Sequence, residues 1–260
     1  MGAQEASAAA VGAQRTLTLV LRSLWTHFVV VSLVLVLGPI AILLSPFTRG
    51  EIVFFLGRFW SRCILKAAGA RLEIEGLEKL SPGAARVLVG NHSSNFDIYV
   101  LILSLEGHRF RFTPKQEIKY IPIFGWALWA GGFPFIDRQR STRSRKTISK
   151  VAEKIRREKM NVVFFPEGTR STRDELMPFK KGPFVLAIDA QVEVVPFVIH
   201  GAKWVQSRHR FFVRPGVIRV EFLDAIPTQG LTYEDRDRIV EAARSQVLRA
   251  LGDEKARGIS

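Results

Sequence analysis

The sequence predicts an α/β fold with a mixed, mostly parallel central sheet flanked by helices, preceded by an N-terminal two-helix membrane anchor. An uncharged stretch near the N-terminus and the aromatic, cationic segment after it predict the anchor. Beyond residue 70, short β-prone runs alternate with longer helical ones, which is typical of a parallel sheet covered by helices. We divide the chain into a disordered tail (1–14), anchoring helices (15–69) and one globular domain (70–260).

Composition excludes several classes of protein. The 260 residues are 47% hydrophobic and 24% charged, which excludes a disordered or fibrous chain. Cys63 is the single cysteine, so the chain has neither an internal disulfide framework nor a thiolate-rich metal site. The five histidines are not clustered at metal-ligand spacing, and we expect no metal. The net charge of +14 predicts anionic partners: phosphates, nucleic acid, acidic proteins or a membrane surface.

The first anchoring segment is the uncharged run from Ser23 to Thr48. As a helix it would reach about 39 Å, against a hydrocarbon core of about 30 Å. Gly38-Pro39 interrupts this run, and proline favours a kink or a turn, so spanning and re-entrant arrangements both remain open. Cationic residues are more frequent after the run than before it, which favours the cytoplasm for the C-terminal side. The small polar residues 1–14 predict a disordered tail.

The second anchoring segment covers residues 51–69. Arg58, Arg62 and Lys66 recur every four residues, which predicts one cationic helix face with aromatic side chains opposite. This pattern suits a helix lying in the lipid headgroup layer, and it also suits an ordinary amphipathic core helix.

The globular part contains eight candidate strands and five candidate helices. The strands are 71–75, 86–90, 109–113, 133–137, 161–166, 193–199, 210–214 and 217–222. The helices are 95–105, 116–130, 142–158, 182–190 and 233–251. Helix 142–158 is strongly cationic, with a predicted buried stripe of Ile148, Val151 and Ile155. Its charge indicates either a solvated face or a surface for anionic lipid or an acidic protein.

The first chemical motif is Asn91-His92-Ser93-Ser94-Asn95-Phe96-Asp97, directly after the apolar strand 86–90. Ligands of α/β folds bind at the C-terminal ends of strands. Asp97 can orient the His92 imidazole and stabilise its protonated form across the start of a helix. The other ring nitrogen is then free to accept a proton from a bound hydroxyl. A histidine and an aspartate at this spacing also occur in ordinary capped loops.

The second motif follows the apolar strand 161–166 and reads Pro166-Glu167-Gly168-Thr169-Arg170. Gly168 allows close approach of the backbone to a ligand. Arg170 offers a planar fork of donors that suits a phosphate. Glutamate and glycine are also common in turns without a binding role.

Two further segments complete the pattern. One begins at Lys115 and ends with Phe135-Ile136-Asp137-Arg138, and the other is the apolar strand around Pro196. The four segments, in this order and at these separations, resemble the four blocks of the PlsC-type glycerolipid acyltransferases. Their best-known members are the 1-acylglycerol-3-phosphate (lysophosphatidate) acyltransferases. The resemblance covers residues 70–200 and, in general character, the membrane-anchoring N-terminus.

This resemblance implies a role for each motif residue. His92 is the general base acting on the acceptor hydroxyl, and Asp97 is its orienting partner. The remaining roles are a glycerol-phosphate site formed by Lys115, Arg138, Glu167, Gly168, Thr169 and Arg170, and an acyl-chain or acyl-donor contact at Pro196. Asn95-Phe96 differ from the aromatic-rich variants of the first block, which bears on the choice of acceptor.

The implied activity of residues 70–260 is transfer of an acyl chain from acyl-CoA or acyl carrier protein to the sn-2 hydroxyl of lysophosphatidate. The product is phosphatidate, and no cofactor is implied. The catalytic domain is expected on the cytoplasmic face of a phospholipid membrane, and the cationic helix 142–158 would suit an acyl carrier protein. Glycerol 3-phosphate, another lysophospholipid or a lyso-aminolipid remains open as acceptor. A non-catalytic membrane-surface binding protein is the alternative from another class, and no motif indicates nucleic acid.

Overall fold

The computed structural model describes the backbone of residues 2–135, 145–170 and 175–256, and the side chains of 14–135, 152–170 and 175–252. Its helices are α1 (Gly2–Thr48), α2 (Glu51–Ala68), α3 (Phe96–Ser104), α4 (Phe124–Ala130), α5 (Arg145–Glu158), α6 (Gly182–Ala190), α7 (Ala202–Val205) and α8 (Arg236–Ala256). Its strands are β1 (Ala70–Glu75), β2 (Val87–Gly90), β3 (Phe110–Phe112), β4 (Asn161–Phe164), β5 (Val194–His200) and β6 (Gly216–Phe222).

The strands form one mixed sheet in the order β1-β6-β5-β2-β4-β3. All neighbouring pairs are parallel except β5 with β6. The predicted fold class is therefore confirmed, with the antiparallel pair formed by the last two strands. β2, β4 and β3 lie side by side and are parallel, so their C-terminal ends lie at the same edge of the sheet.

Side chains along the central strands point alternately to the two faces of the sheet, and each face packs against its own hydrophobic core. Leu88 of β2 faces a core that contains Phe54 and Ile64 of α2 and Phe96 of α3. Val87 and Val89 face the opposite core, to which α5, α6 and α8 contribute. Because α2 packs directly on the sheet, the second anchoring helix shares a core with the globular part.

The N-terminal region is a helical hairpin whose turn lies at Arg49-Gly50. Helix α1 continues through Pro39, so the re-entrant turn considered at Gly38-Pro39 is absent. The helix begins at Gly2, so the segment expected to be a disordered tail has a helical backbone here. Residues Gln14–Thr48 are long and apolar enough, by length and composition alone, to cross a membrane.

Helix α2 arranges its side chains differently from the predicted pattern. Phe55 and Phe59 are exposed on the same face as Arg62 and Lys66, whereas Phe54 points into the core. The exposed face of α2 thus carries both aromatic and cationic residues, because its remaining apolar residues pack into the core.

Three predicted elements differ from the observed ones. Helix 116–130 is divided into a 3₁₀ turn (Gln116–Tyr120) and α4, since Pro122 disfavours helical geometry just before it. Residues 210–214 form no strand, because this segment lies against α1, where the Val213 N–H donates to Ser23 Oγ at 2.9 Å. No strand covers 133–135, and the remainder of the predicted strand 133–137 lies outside the described residues.

Gly38, in the C-terminal half of α1, lies in close contact with a neighbouring residue. A Cβ at Gly38 would stand 2.3 Å from Cγ2 of Ile123, a β-branched residue at φ +64°. Ile123 is stiff about χ1 and lies in a sparsely populated backbone region, so it has little freedom to move away. We therefore assign Gly38 to packing between α1 and the start of α4.

Gly38→Ala should destabilise the protein by about 1–3 kcal/mol, since overpacking outweighs the better helix propensity of alanine. Gly57→Ala is the matched control, because a Cβ at Gly57, also within a helix, meets no atom within 4 Å. The control should gain up to about 1 kcal/mol. Thermal or denaturant unfolding of both variants measures the difference. Equal effects of the two substitutions would contradict the packing role of Gly38.

Candidate active site

The two chemical motifs meet at the C-terminal edge of the sheet. β2 ends at Gly90 and leads into Asn91-His92, and its parallel neighbour β4 ends at Phe164 and leads into Phe165-Pro166-Glu167. Because the strands lie side by side, segments about 75 residues apart in the chain become neighbours. This edge is where parallel α/β sheets place ligands.

His92 and Asp97 form a hydrogen-bonded pair. Nδ1 of His92 lies 2.7 Å from Oδ2 of Asp97, and the carboxylate is fully buried at the start of α3. The same oxygen accepts from the N–H groups of Ser93 and Ser94 at 2.7 and 2.9 Å. A carboxylate only accepts, so Nδ1 carries the proton and Nε2 has a free lone pair. The side chain of His92 is 14% exposed, which leaves one edge of the ring open to a substrate.

Neighbouring groups fix the position of the His92 turn. The amide of Asn91 donates to the Ile199 carbonyl at 2.9 Å and accepts from the Ile199 N–H at 2.8 Å, which ties the turn to β5. Ser94 Oγ accepts from the Phe96 N–H at 3.1 Å, capping the start of α3. The ring of Phe165 stacks on the imidazole with centroids 4.0 Å apart. The His92 ring is therefore held in one position by its neighbours.

Glu167 holds the two loops together through its carboxylate. Oε1 accepts from the His92 N–H at 2.9 Å, and Oε2 accepts from the Met177 N–H at 3.1 Å. Burial raises the pKa of the Glu167 carboxyl, and these two backbone donors counteract that rise. Both oxygens bind backbone groups, so the direct role of this side chain is to position the His92 turn.

Gly168 lies where the backbone and a cation come close together. It adopts φ +79°, and a Cβ there would stand 2.8 Å from Cε and Nζ of Lys180. The absence of a side chain thus leaves room for Lys180 over the loop, and the Lys180 N–H donates to the Pro166 carbonyl at 2.9 Å. Lys180 is a cation of this site that the sequence analysis did not single out.

Arg170 extends towards the start of α3. Its guanidinium donates to Oδ1 of Asn95, while the Arg170 carbonyl accepts from Nη1 of Arg208 at 2.7 Å. Burial, followed by the charge of Arg208, lowers the pKa of Arg170. Two neighbouring guanidinium groups at the edge that carries His92 form a site suited to an anion.

Tyr99 lies close enough to Arg170 for the charge of the arginine to act on its hydroxyl. Tyr99 of α3 has a pKa raised to about 12 because it is buried, and the positive charge of Arg170 acts in the opposite direction. Tyr99 therefore stays protonated near neutral pH. Phe96, which departs from the family pattern, is buried against the Tyr99 ring, whereas Asn95 is the residue of that pair that reaches Arg170.

The other predicted site residues are distributed as follows. Lys115 is exposed beyond the C-terminal end of β3, at the same edge of the sheet. Thr169 lies in the loop between Gly168 and Arg170. Pro196 is buried within β5, in register with Val89. Arg138 lies outside the described residues. The structure thus brings His92, Asp97, Glu167 and Arg170 together, and the roles assigned to all of the site residues stay predictions.

The segment after α7 contacts both the His92 turn and helix α1. Ser94 Oγ donates to the Gln206 carbonyl at 2.7 Å, and Phe211 stacks on His27 of α1 with centroids 4.9 Å apart. Together with the Val213 contact to Ser23, these contacts connect the catalytic turn to the first helix. No sequence motif indicated Arg208 or this segment, because their partners are 38 to 190 residues away.

A comparison with protein-family models finds a match to the family described as Acyltransferase, over residues 71–200. This range includes both loops of the site and half of the chain. The chain belongs to the acyltransferase family. The resemblance noted in the sequence is confirmed at this level, and His92, Asp97, Glu167 and Arg170 all lie within the matched range.

Curated relatives agree with this membership. The chain is 35% identical over 173 residues to the human 1-acyl-sn-glycerol-3-phosphate acyltransferase beta, covering 66% of this chain and 62% of the relative. It is 34% identical over 184 residues to the human alpha enzyme, covering 69% and 63%. A Saccharomyces cerevisiae 1-acyl-sn-glycerol-3-phosphate acyltransferase is 31% identical, with 70% and 60% covered. The matched region thus spans less than two thirds of each of these relatives.

A solved structure shares the fold of this acyltransferase-family chain. The PlsC 1-acyl-sn-glycerophosphate acyltransferase from Thermotoga maritima superposes with a TM-score of 0.77. The alignment covers 93% of this chain and 98% of the other, at 20% sequence identity. The shared architecture therefore includes the N-terminal helices as well as the sheet.

Proposed function

We propose that this protein is a membrane-bound O-acyltransferase that converts 1-acyl-sn-glycerol 3-phosphate and an acyl thioester into phosphatidate. The observation that carries the proposal is the buried His92–Asp97 pair beside the guanidinium groups of Arg170 and Arg208. A base next to an anion site suits an acceptor that bears both a hydroxyl and a phosphate. The names of the curated relatives favour the same acceptor.

The chemistry follows from the protonation of the pair. Nε2 of His92 accepts the proton of the sn-2 hydroxyl while the oxygen attacks the thioester carbonyl. Asp97 stabilises the imidazolium that forms. When the tetrahedral intermediate collapses, the C–S bond breaks and the Nε2–H proton passes to the departing thiolate. The ester and a free thiol are the products, and the enzyme returns to its starting state.

The anion site would fix the acceptor. A phosphate between Arg170 and Arg208 would replace unfavourable contact between two cations with charge-assisted hydrogen bonds. Lys180 and Lys115 lie at the same edge of the sheet and would add positive charge. Holding the phosphate orients the neighbouring hydroxyl towards Nε2 of His92, which is an entropic contribution to the rate.

Arg170→Lys tests this acceptor assignment. Lysine keeps the charge but loses the planar fork, so we expect a raised KM for lysophosphatidate and a kcat/KM lower by roughly 10–150-fold. Arg109→Lys is the matched control, since Arg109 donates to the Glu158 carbonyl beside the N-terminal end of β3, at the opposite edge of the sheet. Steady-state kinetics with varied acceptor and fixed donor provide the measurement.

The acceptor panel decides between the proposed and the alternative substrates. It contains lysophosphatidate, glycerol 3-phosphate, lysophosphatidylcholine and a lyso-aminolipid, each offered with acyl-CoA and with acylated acyl carrier protein. Preference for an acceptor without a terminal phosphate, together with unchanged kinetics of Arg170→Lys, would refute the phosphate assignment. No transfer to any acceptor would favour the non-catalytic membrane-binding alternative.

Membrane association is proposed to use an apolar face of α1. Its exposed side chains recur at helical spacing along one side and include Leu17, Leu21, Leu24, Trp25, Phe28, Val31, Leu35, Leu43 and Phe47. The other side contacts the globular part at Ser23, which accepts from the Val213 N–H, and at Gly38, which lies against Ile123. A helix held in this way would lie within one leaflet of the bilayer, next to the globular part. The cytoplasmic leaflet is the proposed location, from the predominance of cations after the apolar run.

The double substitution Leu24→Gln/Phe28→Gln should release the protein from neutral vesicles. Both side chains are more than half exposed, and burying each in lipid contributes about 1.5–3 kcal/mol, so partitioning should fall by at least about 100-fold. Tyr233→Gln/Leu248→Gln removes exposed apolar surface elsewhere and should leave partitioning unchanged. Vesicle flotation in high salt isolates the apolar contribution. Full retention of the first variant would place the membrane contact elsewhere.

A further inference from the structure

A second cationic cavity lies outside the active site, between α1 and the segment that joins α7 to β6. Its volume is about 570 Å³, and it is open to the surface. Three arginines line it together with an indole: Arg15, Arg22, Arg214 and Trp204. None of the residues that form the catalytic pair or the anion site described above lines this cavity.

Among the described side chains, the arginines of this cavity have no carboxylate partner. In the part of the chain with described side chains, no carboxylate forms an ion pair with Arg15, Arg22 or Arg214. The Arg214 guanidinium lies over the Trp204 ring, 5.0 Å from its centroid, which holds this cation in place. Three guanidinium groups around one cavity favour a ligand that carries a phosphate.

The position along α1 indicates the source of that phosphate. Arg22 is the last charged residue before the uncharged run that begins at Ser23. Leu21, Leu24 and Trp25, which flank it, are more than half exposed. A cation at the end of an apolar, exposed helix segment, close to a half-exposed tryptophan, lies at the level of lipid headgroups. Basic pockets at this level bind anionic headgroups.

We propose that the cavity lined by Arg15, Arg22, Arg214 and Trp204 binds the phosphate headgroup of an anionic phospholipid of the surrounding membrane. This lipid is bound at a site separate from that of the reacting lipid. It contacts α1 through Arg15 and Arg22 and the globular part through Arg214, so it bridges the first helix and the sheet domain.

The cavity wall is connected to the catalytic turn by short steps. The Arg214 N–H donates to the Val205 carbonyl at 2.8 Å, and the next carbonyl, that of Gln206, accepts from Ser94 Oγ at 2.7 Å. A bound headgroup would therefore stabilise the segment that supports Ser94, two residues from His92. The inference goes beyond the proposed acyl transfer, and measurement of lipid binding tests it without any assay of activity.

Lipid binding can be measured on the full chain in a non-ionic detergent by native mass spectrometry. The probes are short-chain phosphatidylglycerol and phosphatidylcholine, with coenzyme A and inorganic phosphate as competitors. We expect one phosphatidylglycerol to be retained in preference to phosphatidylcholine. Arg22→Gln and Arg214→Gln should each weaken this binding by about fivefold, since each removes one cation from the headgroup site. Arg62→Gln is the control, because it removes an exposed cation of α2 that does not line the cavity.

Arg22→Lys and Arg214→Lys provide a second test that does not depend on tolerance of an uncharged residue. They keep the charge and should bind phosphatidylglycerol more tightly than the glutamine variants, at unchanged thermal midpoint. Equal binding by wild type, Arg22→Gln and Arg214→Gln would overturn the proposal. An equal loss in Arg62→Gln would indicate general charge attraction and would also overturn it. Displacement of the lipid by coenzyme A, with a raised KM for acyl-CoA in Arg214→Gln, would assign the cavity to the acyl donor instead.

Discussion

His92→Ala should lower kcat for acyl transfer by about 10²–10⁴-fold, because it removes the group that accepts the proton of the acceptor hydroxyl. The fold should persist. Oδ2 of Asp97 still receives the Ser93 and Ser94 N–H groups, so the buried carboxylate is not left without donors. Steady-state turnover at saturating substrates, together with the thermal midpoint and vesicle binding, measures the catalytic effect separately from stability.

His108→Ala is the control for this loss. His108 is partly exposed and lies just before β3, away from the edge of the sheet that carries His92. Its removal should leave turnover within about twofold of wild type, since surface substitutions away from a site have small effects. More than about a tenth of wild-type kcat in His92→Ala would refute the assignment of His92 as the base.

Asp97→Asn should also reduce kcat by about 10²–10⁴-fold, although the residue is buried and does not touch the acceptor. An amide oxygen can still accept from the Ser93 and Ser94 N–H groups, but a neutral side chain no longer stabilises the protonated imidazole. The loss of charge at the start of α3 should lower the thermal midpoint as well. Asp189→Asn, on the exposed surface of α6, is the control for a loss of charge without these contacts.

A double variant shows whether Asp97 acts through His92. Residues that work as one unit have strongly non-additive effects. His92→Ala/Asp97→Asn should therefore be about as slow as His92→Ala alone. Additive losses in the double variant would mean that Asp97 has a separate role, such as direct contact with the acceptor.

The sequence predicts the elements whose signals are local. Apolar runs gave β2, β4 and β5 to within two or three residues, and the spacing of His92 and Asp97 predicted the pair that the structure contains. Parallel order in the sheet followed from the alternation of strands and helices. These features depend on residues close together in the chain, which is why pattern and propensity suffice for them.

The remainder depends on contacts between distant segments. The Glu167 carboxylate, which the family resemblance assigns to the headgroup site, binds the backbone of His92, 75 residues away. The segment 210–214 has a strand-like composition, yet it packs on α1, because Phe211 stacks on His27 instead of entering the sheet. Arg208 follows α7 and donates to the Arg170 carbonyl, 38 residues away. Such partners are fixed by tertiary packing, which no local pattern encodes.

The pairing of β1 at the edge of the sheet has a consequence for how the chain is made. β1 follows directly after the hairpin of α1 and α2, and in the described sheet it pairs with β6, whose first residue, Gly216, pairs with Ala70. During synthesis the apolar face of α1, which ends at Phe47, leaves the ribosome first, whereas the strand that closes the sheet, which begins at Gly216, emerges about 170 residues later. At about 5–20 residues per second, the nascent chain carries that face for roughly 8–35 seconds before the sheet can close. That apolar face therefore needs to be shielded from water well before the chain has folded.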